Sequence, residues 1–321
     1  MGARPKLLIT RRIFPEVLER LDANFDIVSN QADDEWSAAD LLARVADRDA
    51  LFVVASDRVD RALLDAAPKL RVVSTGSVGY NHIDLAACKA RGIAVGNTPE
   101  VLTEATADMA WTLLMAAARR VSESERWLRD GQWKRWAFDQ FLGADLFRST
   151  LGIIGMGRIG SAVARRARGF EMTVLYSNRS RAANEAEVGA QYVERDELLA
   201  RADHVVLVLP YSQATHHTIG ERELSLMKPT ATLVNIARGG IVDDAALARA
   251  LKAGRIAAAG LDVYENEPAL NPELLDAPGV VLTPHIGSAT RSSRVGMAML
   301  AADNLIAFFE GRPMPAQVPL G

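Results

Sequence analysis

Short runs of apolar, often β-branched residues alternate along the chain with stretches whose apolar positions recur every three or four residues. The runs Leu7–Thr10, Leu51–Ala55, Val72–Thr75 and Ile93–Val95 predict strands, with amphipathic helices over Pro15–Leu21 and Ala38–Val45 between them. Unbroken apolar runs such as Leu51-Phe52-Val53-Val54 suit strands buried on both faces, and strands alternating with helices predict parallel sheets. A long helix is expected over Glu104–Arg120, with Thr103 as its N-cap. A polar, tryptophan-bearing stretch, Trp127 to Phe147, separates it from a second series of strands: Leu151–Ile154, Thr173–Tyr176, Val205–Leu209, Thr232–Ile236, Ala257–Leu261 and Val280–Thr283. The final helix, about Thr290–Glu310, carries a stripe of Val295, Met299, Ala302, Ile306 and Phe309 and is stopped by Gly311 and Pro313.

The second series closes one sheet. The first has few strands, and the final helix has no strand after it. Returning that helix to the first series predicts an α/β fold of two Rossmann-like or flavodoxin-like domains, each a doubly wound parallel sheet. Residues 1–98 and 288–321 would form a discontinuous substrate-binding domain, and residues 99–287 a dinucleotide-binding Rossmann domain. A cleft between two such lobes is the expected meeting place of cofactor and substrate.

The length, 321 residues, suits two domains. Forty acids against 37 bases leave a net charge of −3, which implies no basic face and argues against nucleic acid as a partner. The single cysteine, Cys88, cannot form an internal disulfide and reads as helix packing; with no cysteine cluster, no metal site is expected. Met1 to Thr10 lacks the apolar core of a secretion signal, and Met109 to Ala118 is shorter than the ~20 residues that span a bilayer. A cytoplasmic protein without a membrane partner is expected.

Gly155-Met156-Gly157-Arg158-Ile159-Gly160 reads G-x-G-x-x-G. Alone it would suit any glycine-rich turn, but here it follows a strand and opens a helix through Ala162, Val163 and Ala167. Gly155 would allow the tight turn, Gly157 the approach of a pyrophosphate, and Gly160 close helix–strand packing. The helix N-terminus would attract the phosphates. At the end of the next strand an acid would bind the adenosine ribose of NAD(H). The chain instead has Ser177-Asn178-Arg179-Ser180-Arg181, with no acid until Glu185. Arg179 and Arg181, helped by Asn178 and Ser180, can hold a 2′-phosphate, which favours NADP(H) over NAD(H); two solvated surface arginines are the plainer alternative.

A nicotinamide cofactor implies hydride transfer, and ketone reduction also needs a proton donor and a group that polarises the carbonyl. Of the five histidines, His285 follows the strand Val280–Thr283. Arg238 follows Thr232–Ile236, and Asp262 and Glu267 follow Ala257–Leu261. Carboxyl ends of strands are where open α/β sheets place their sites. Each residue alone has an ordinary structural reading; their joint placement points to chemistry. His216 and His217 have no evident partner and read as surface.

These motifs are those of a known family. The chain resembles the D-isomer-specific 2-hydroxyacid dehydrogenases over essentially its whole length. The resemblance rests on Ser77-Val78-Gly79-Tyr80-Asn81-His82-Ile83-Asp84, the glycine loop, Asn235-Ile236-Ala237-Arg238-Gly239-Gly240, Gly260 to Pro268, and Pro284-His285-Ile286-Gly287-Ser288-Ala289-Thr290. The nearest branch is the glyoxylate/hydroxypyruvate reductases, including enzymes that reduce 2-ketogluconate. The resemblance implies that Arg238, with the backbone N–H groups of Val78 and Gly79, binds the carboxylate of a small 2-oxo acid. His285 would bind the same substrate and protonate its carbonyl oxygen, and Glu267 would orient His285 and favour its charged form. Asp262 would hold the nicotinamide carboxamide. Arg158, Ile159, Leu209, Pro210, Thr215, Ile236, Ala237, Arg238, His285 and Gly287 would complete the cofactor contacts. The family is typically a homodimer through its cofactor domains; Trp127–Phe147 looks like the dimer arm, and Trp136 either reaches the neighbour or is buried in its own lobe.

The chain departs from its relatives at Asn81, where they usually carry Asp. Glu267 is an acid, where formate dehydrogenases have an amide, which sets formate aside. Three further readings stay open: a reductase of 2-ketogluconate or a bulkier 2-oxo acid, a phosphite dehydrogenase, and a dinucleotide-sensing binding protein like the family's corepressors.

Overall fold

A computed structural model describes residues 4–320, and the chain divides into two compact units. The first takes the residues up to Leu102 and those from Ala289 onward; the second is Thr103–Ser288.

The first unit has five strands: β1 (Lys6–Ile9), β2 (Asp26–Ser29), β3 (Ala50–Val53), β4 (Val72–Thr75) and β5 (Ala94–Gly96). All pair in parallel, in the order β2-β1-β3-β4-β5. β3 and β4 lie inside the sheet and are buried at every position, as their unbroken apolar runs predict. β2 is the strand its sequence does not announce. It begins with the exposed Asp26 at a sheet edge, where no continuous apolar run is needed.

The last helix, Arg291–Phe309, belongs to this unit, with Thr290 accepting from the Ser293 N–H as N-cap. Its buried face is broader than the expected stripe and centres elsewhere. Met297, Ala298, Ala301, Asn304 and Leu305 are buried, while Val295, Met299 and Phe309 are only partly so. Three alanines, Ala298, Ala301 and Ala302, let the helix approach Leu7, Phe52 and Val72. Asn304 is buried because its side chain donates to the Asn97 carbonyl (3.0 Å) and accepts from the Ala316 N–H (2.8 Å).

The second unit has seven parallel strands: β6 (Thr150–Ile154), β7 (Thr173–Ser177), β8 (Ala190–Tyr192), β9 (His204–Leu207), β10 (Thr232–Asn235), β11 (Ala258–Leu261) and β12 (Val280–Leu282). Their order is β12-β11-β10-β9-β6-β7-β8. Successive strands run one way from β6 to β8, and the chain then returns to the other side of β6 with β9. The carboxyl ends of β6 and β9 therefore form the switch point where such sheets bind ligands. Alternate strand residues serve two cores. Leu151, Ile153, Val174, Val206 and Val234 face one, and Leu175, Val205, Leu207, Leu233 and Leu261 the other.

The helix Thr103–Ala118 packs across β10 and β11, close enough at Gly260 that a Cβ there would lie 2.9 Å from the Leu113 Cβ. It ends short of the expected Arg120, which takes a left-handed conformation (φ 54°), and a second helix, Val121–Arg129, follows. From Leu128 to Phe147 the unit exposes Trp133, Phe138 and Leu142, and Trp136 is 71% exposed, so this unit does not bury it. Cys88 is fully buried on the helix Leu85–Ala90. No helix of the described residues is long and apolar enough to cross a membrane.

Candidate active site

β6 ends at Ile154, and the glycine loop begins at once. Gly155 has φ +108°, and a Cβ there would lie 2.7 Å from the Val208 carbonyl carbon. At Gly160 a Cβ would meet the Gly155 oxygen at 2.3 Å. Both positions therefore need glycine. Gly157 differs: a Cβ there would meet nothing within 4 Å. It is also the N-cap of the helix Arg158–Ala167 and supplies no side-chain cap. The first turn of an α-helix carries N–H groups with no acceptor inside the helix itself. Open space at Gly157 and the positive end of the helix dipole fit a pyrophosphate.

At the end of β7, Asn178 and Arg181 each make a contact inside the chain. The Asn178 Oδ1 accepts from the Met156 N–H (2.7 Å) and so pins the glycine loop. Arg181 pairs with Glu185 (2.5 Å), the acid one helical turn on, and Glu185 also accepts from the Tyr176 hydroxyl. These two donors hold the Glu185 carboxyl below its ordinary range. Arg179 and Ser180 are exposed. Of the two arginines expected to meet a 2′-phosphate, one is thus paired with Glu185, the first acid after the strand.

His285, Glu267 and Arg238 come together beyond β12, β11 and β10. The His285 Nδ1 is 2.7 Å from the Glu267 Oε2. The other Glu267 oxygen accepts from the Tyr264 N–H at 2.8 Å. Burial alone would raise the Glu267 carboxyl, but His285, the Tyr264 N–H and the Arg238 charge outweigh it and leave it below its ordinary value. Arg238 lies within reach of Glu267 electrostatically, and burial draws its guanidinium below its ordinary value despite that carboxylate. Its Nη1 donates to the Ala237 carbonyl (2.8 Å), folding the side chain back along its own turn. The Asn235 side chain ties that turn, accepting from the Ala237 N–H (3.0 Å) and donating to the Arg238 carbonyl (3.1 Å). Ile236 and Ala237 are buried between these bonds.

Asp262 is 1% exposed, and its carboxylate accepts from Thr283 Oγ1 (2.6 Å), the Ile286 N–H (2.8 Å) and the Gly287 N–H (2.7 Å). Three of about four acceptor positions are therefore filled by the turn that carries His285. The Tyr264 hydroxyl reaches the carbonyls of Leu261 (2.9 Å) and Thr283 (2.8 Å), joining the ends of β11 and β12. Tyr264 and Asn235 are positioning groups that the sequence did not single out, although both stand inside its motifs. Thr215 closes its own loop: its hydroxyl accepts from the Ser212 N–H (2.7 Å) and lies 3.0 Å from the Pro210 carbonyl, while Leu209 is partly buried and Pro210 exposed.

His216 and His217 are not the partnerless surface groups expected. The His217 Nε2 is 2.7 Å from Glu265 Oε1, and the Tyr211 hydroxyl is 3.3 Å from His216 Nδ1.

Within the first unit, the loop after β4 is held from inside. Ser77 Oγ donates to the Gly79 carbonyl (2.6 Å), and Asn97 donates to the Val78 carbonyl (2.8 Å). Thr75 Oγ1 is 2.9 Å from Ser77 Oγ and 3.0 Å from His82 Nε2. Both carbonyls are engaged, so the loop's geometry is fixed around the N–H groups of Val78 and Gly79.

Residues 111–287 match the family model described as D-isomer specific 2-hydroxyacid dehydrogenase, NAD binding domain. A glyoxylate reductase of Thermococcus kodakarensis is 51% identical over 320 residues, covering 98% of this chain and 96% of that protein. One from Pyrococcus furiosus is 48% identical, with 98% and 95% covered. Among solved structures, the NADPH-dependent glyoxylate/hydroxypyruvate reductase of Sinorhizobium meliloti in complex with NADP and malonate superposes with a TM-score of 0.89 at 36% identity, covering 99% of this chain and 98% of that one. The chain belongs to the D-isomer-specific 2-hydroxyacid dehydrogenase family. Within it, the chain falls in the glyoxylate reductase branch.

Proposed function

We propose that the protein reduces small 2-oxo acids, glyoxylate and hydroxypyruvate first, to the D-2-hydroxy acids, with NADPH preferred over NADH. The observation that carries this reading is the 2.7 Å His285–Glu267 pair with Arg238 beside it, on three successive strand ends next to an open glycine loop. The Gly155–Gly160 loop holds the dinucleotide, with Leu209, Pro210, Thr215, Ile236, Ala237, Asp262 and Gly287 around it. When bound, the dinucleotide supplies the hydride. Arg238 holds the substrate carboxylate and polarises the adjacent carbonyl. His285, turned by its contact with Glu267, gives its proton to the carbonyl oxygen as that oxygen gains negative charge. Val78 and Gly79 are assigned to the substrate carboxylate on their motif, with the internally fixed loop as local support.

The NADPH preference is supported by the absence of a carboxylate at the end of β7 and by the exposed Arg179 and Ser180. It requires Arg181 to leave Glu185. The exposed aromatic stretch Trp127–Phe147 supports a homodimer, in which a second copy covers Trp133, Trp136 and Phe138. A fully buried, unpaired thiol at Cys88 is in keeping with a reducing cytoplasm.

Initial rates with NADPH and NADH against glyoxylate, hydroxypyruvate, 2-ketogluconate and phosphite test the reading. Turnover of the first two is expected to lead. Dinucleotide binding without turnover of any oxo acid would overturn it in favour of a sensing protein.

A further inference from the structure

The pair His216–His217 lies in the loop after β9, and its contacts are to Tyr211, Gly240 and Glu265. Together with Glu265 it offers three ligand atoms, one from each residue, all within 4.8 Å of one another. The two imidazoles stack, with centroids 3.8 Å apart and an interplanar angle of 22°, so their nitrogens present side by side. We propose that His216, His217 and Glu265 bind a borderline-soft divalent cation, Zn²⁺ foremost.

The donor set, two imidazoles and a carboxylate, is one that zinc takes readily, with water as a fourth ligand. Tetrahedral zinc at ordinary bond lengths sets its ligand atoms about 3.3–3.5 Å apart. The His217–Glu265 contact of 2.7 Å must open slightly as the metal replaces the shared proton, and the widest separation must close. His216 is exposed, and the side chains of His217 and Glu265 are 36% and 27% exposed, so both adjustments are within side-chain reach.

The framework is already set. His217 is held in the left-handed region (φ 48°), and its N–H donates to the Gly240 carbonyl at 2.7 Å. The Tyr211 hydroxyl lies 3.3 Å from His216 Nδ1; a proton on that nitrogen leaves Nε2 as the ligand. The Glu265 N–H donates to Asp244 Oδ2 at 3.0 Å, which brings a second carboxylate behind the first. The Glu265 carboxylate pairs with His217, so the metal would take the place of the proton between them.

Such an ion would tie the 216–217 loop to the Tyr264–Glu267 turn. Chelator-treated, full-length protein titrated with Co²⁺ should develop the visible absorption of a low-coordinate cobalt site at one equivalent, and Zn²⁺ should displace it and raise Tm. His216→Ala and Glu265→Gln should each weaken Co²⁺ binding at least ~10-fold, whereas His285→Ala should leave the band unchanged. His216 is exposed, so its variant folds and keeps the test decisive. Absence of a cobalt band, a band that survives both variants, or a band lost with His285→Ala would each overturn the proposal.

Discussion

Asp262 and Gly287 are joined by a 2.7 Å hydrogen bond from the Gly287 N–H to the Asp262 Oδ2, and a Cβ at Gly287 would lie 3.1 Å from that same oxygen. The buried carboxylate therefore grips the turn two residues past His285. Asp262→Asn presents an amide NH₂ to donors that need an acceptor. A buried donor left unsatisfied costs about 1–3 kcal/mol. The expected outcome is a Tm lower by several degrees together with a lower kcat, read by calorimetry and steady-state rates. An unchanged Tm would show that the turn holds without Asp262.

His285→Ala removes the proposed proton donor. General acid help is worth roughly 10²–10⁴ in rate, and kcat should fall by that order with dinucleotide affinity retained. Glu267→Gln keeps an acceptor for the Tyr264 N–H but withdraws the charge beside His285, and should give a smaller loss. Near wild-type turnover in His285→Ala would remove it from the chemistry.

Ser77→Ala deletes the link between the Thr75 hydroxyl and the Gly79 carbonyl. One lost neutral hydrogen bond costs about 0.5–1.5 kcal/mol. If Val78 and Gly79 meet the substrate carboxylate, KM for the oxo acid should rise several-fold with little change in kcat. A change in kcat alone would contradict that role.

His204, in β9, is wholly buried, with Nε2 3.1 Å from the Asp145 carbonyl. Burial holds its pKa below the ordinary 6.5, against the opposing pull of that carbonyl and of Asp203. The unfolded chain therefore takes up a proton near pH 6.5 that the folded chain resists. The stability it contributes is complete above that pH and is lost as pH falls through the depressed folded value. Tm should drop between pH 7 and pH 5, and His204→Gln, which keeps a donor for Asp145, should flatten the slope. Equal slopes would assign the acid sensitivity elsewhere.

The glycine loop was legible because strand, turn and helix are contiguous and each glycine answers a local need: Gly155 a positive φ, Gly160 a backbone contact. The inner strands were legible from their unbroken apolar runs. The edge strands β2 and β8 were not, since Asp26-Ile27-Val28-Ser29 and Ala190-Gln191-Tyr192 need bury little. The helix Val121–Arg129 buries no residue in this chain and so follows no core-facing pattern. The proposed catalytic trio stands out by its strand ends, but the groups that position it do not. Asp262, expected to meet the cofactor, also holds residues 283–287, and His217 finds Glu265 48 residues away. Such pairings depend on which strand ends adjoin, which is fixed only by the sheet order.

Glu185 gives the sharpest test of cofactor choice. Its carboxylate holds Arg181 at 2.5 Å and also receives the Tyr176 hydroxyl, so a 2′-phosphate must compete for the guanidinium. Glu185→Gln keeps an acceptor for Tyr176 and removes the charge. KM for NADPH should then fall by a few-fold, because Arg181 is largely exposed and its pair is screened. Arg179→Ala should act in the opposite sense, raising KM for NADPH while leaving NADH little changed, since only the phosphate engages that charge. If NADH and NADPH respond alike to both substitutions, the turn after β7 does not read the phosphate, and the preference for NADPH fails with it.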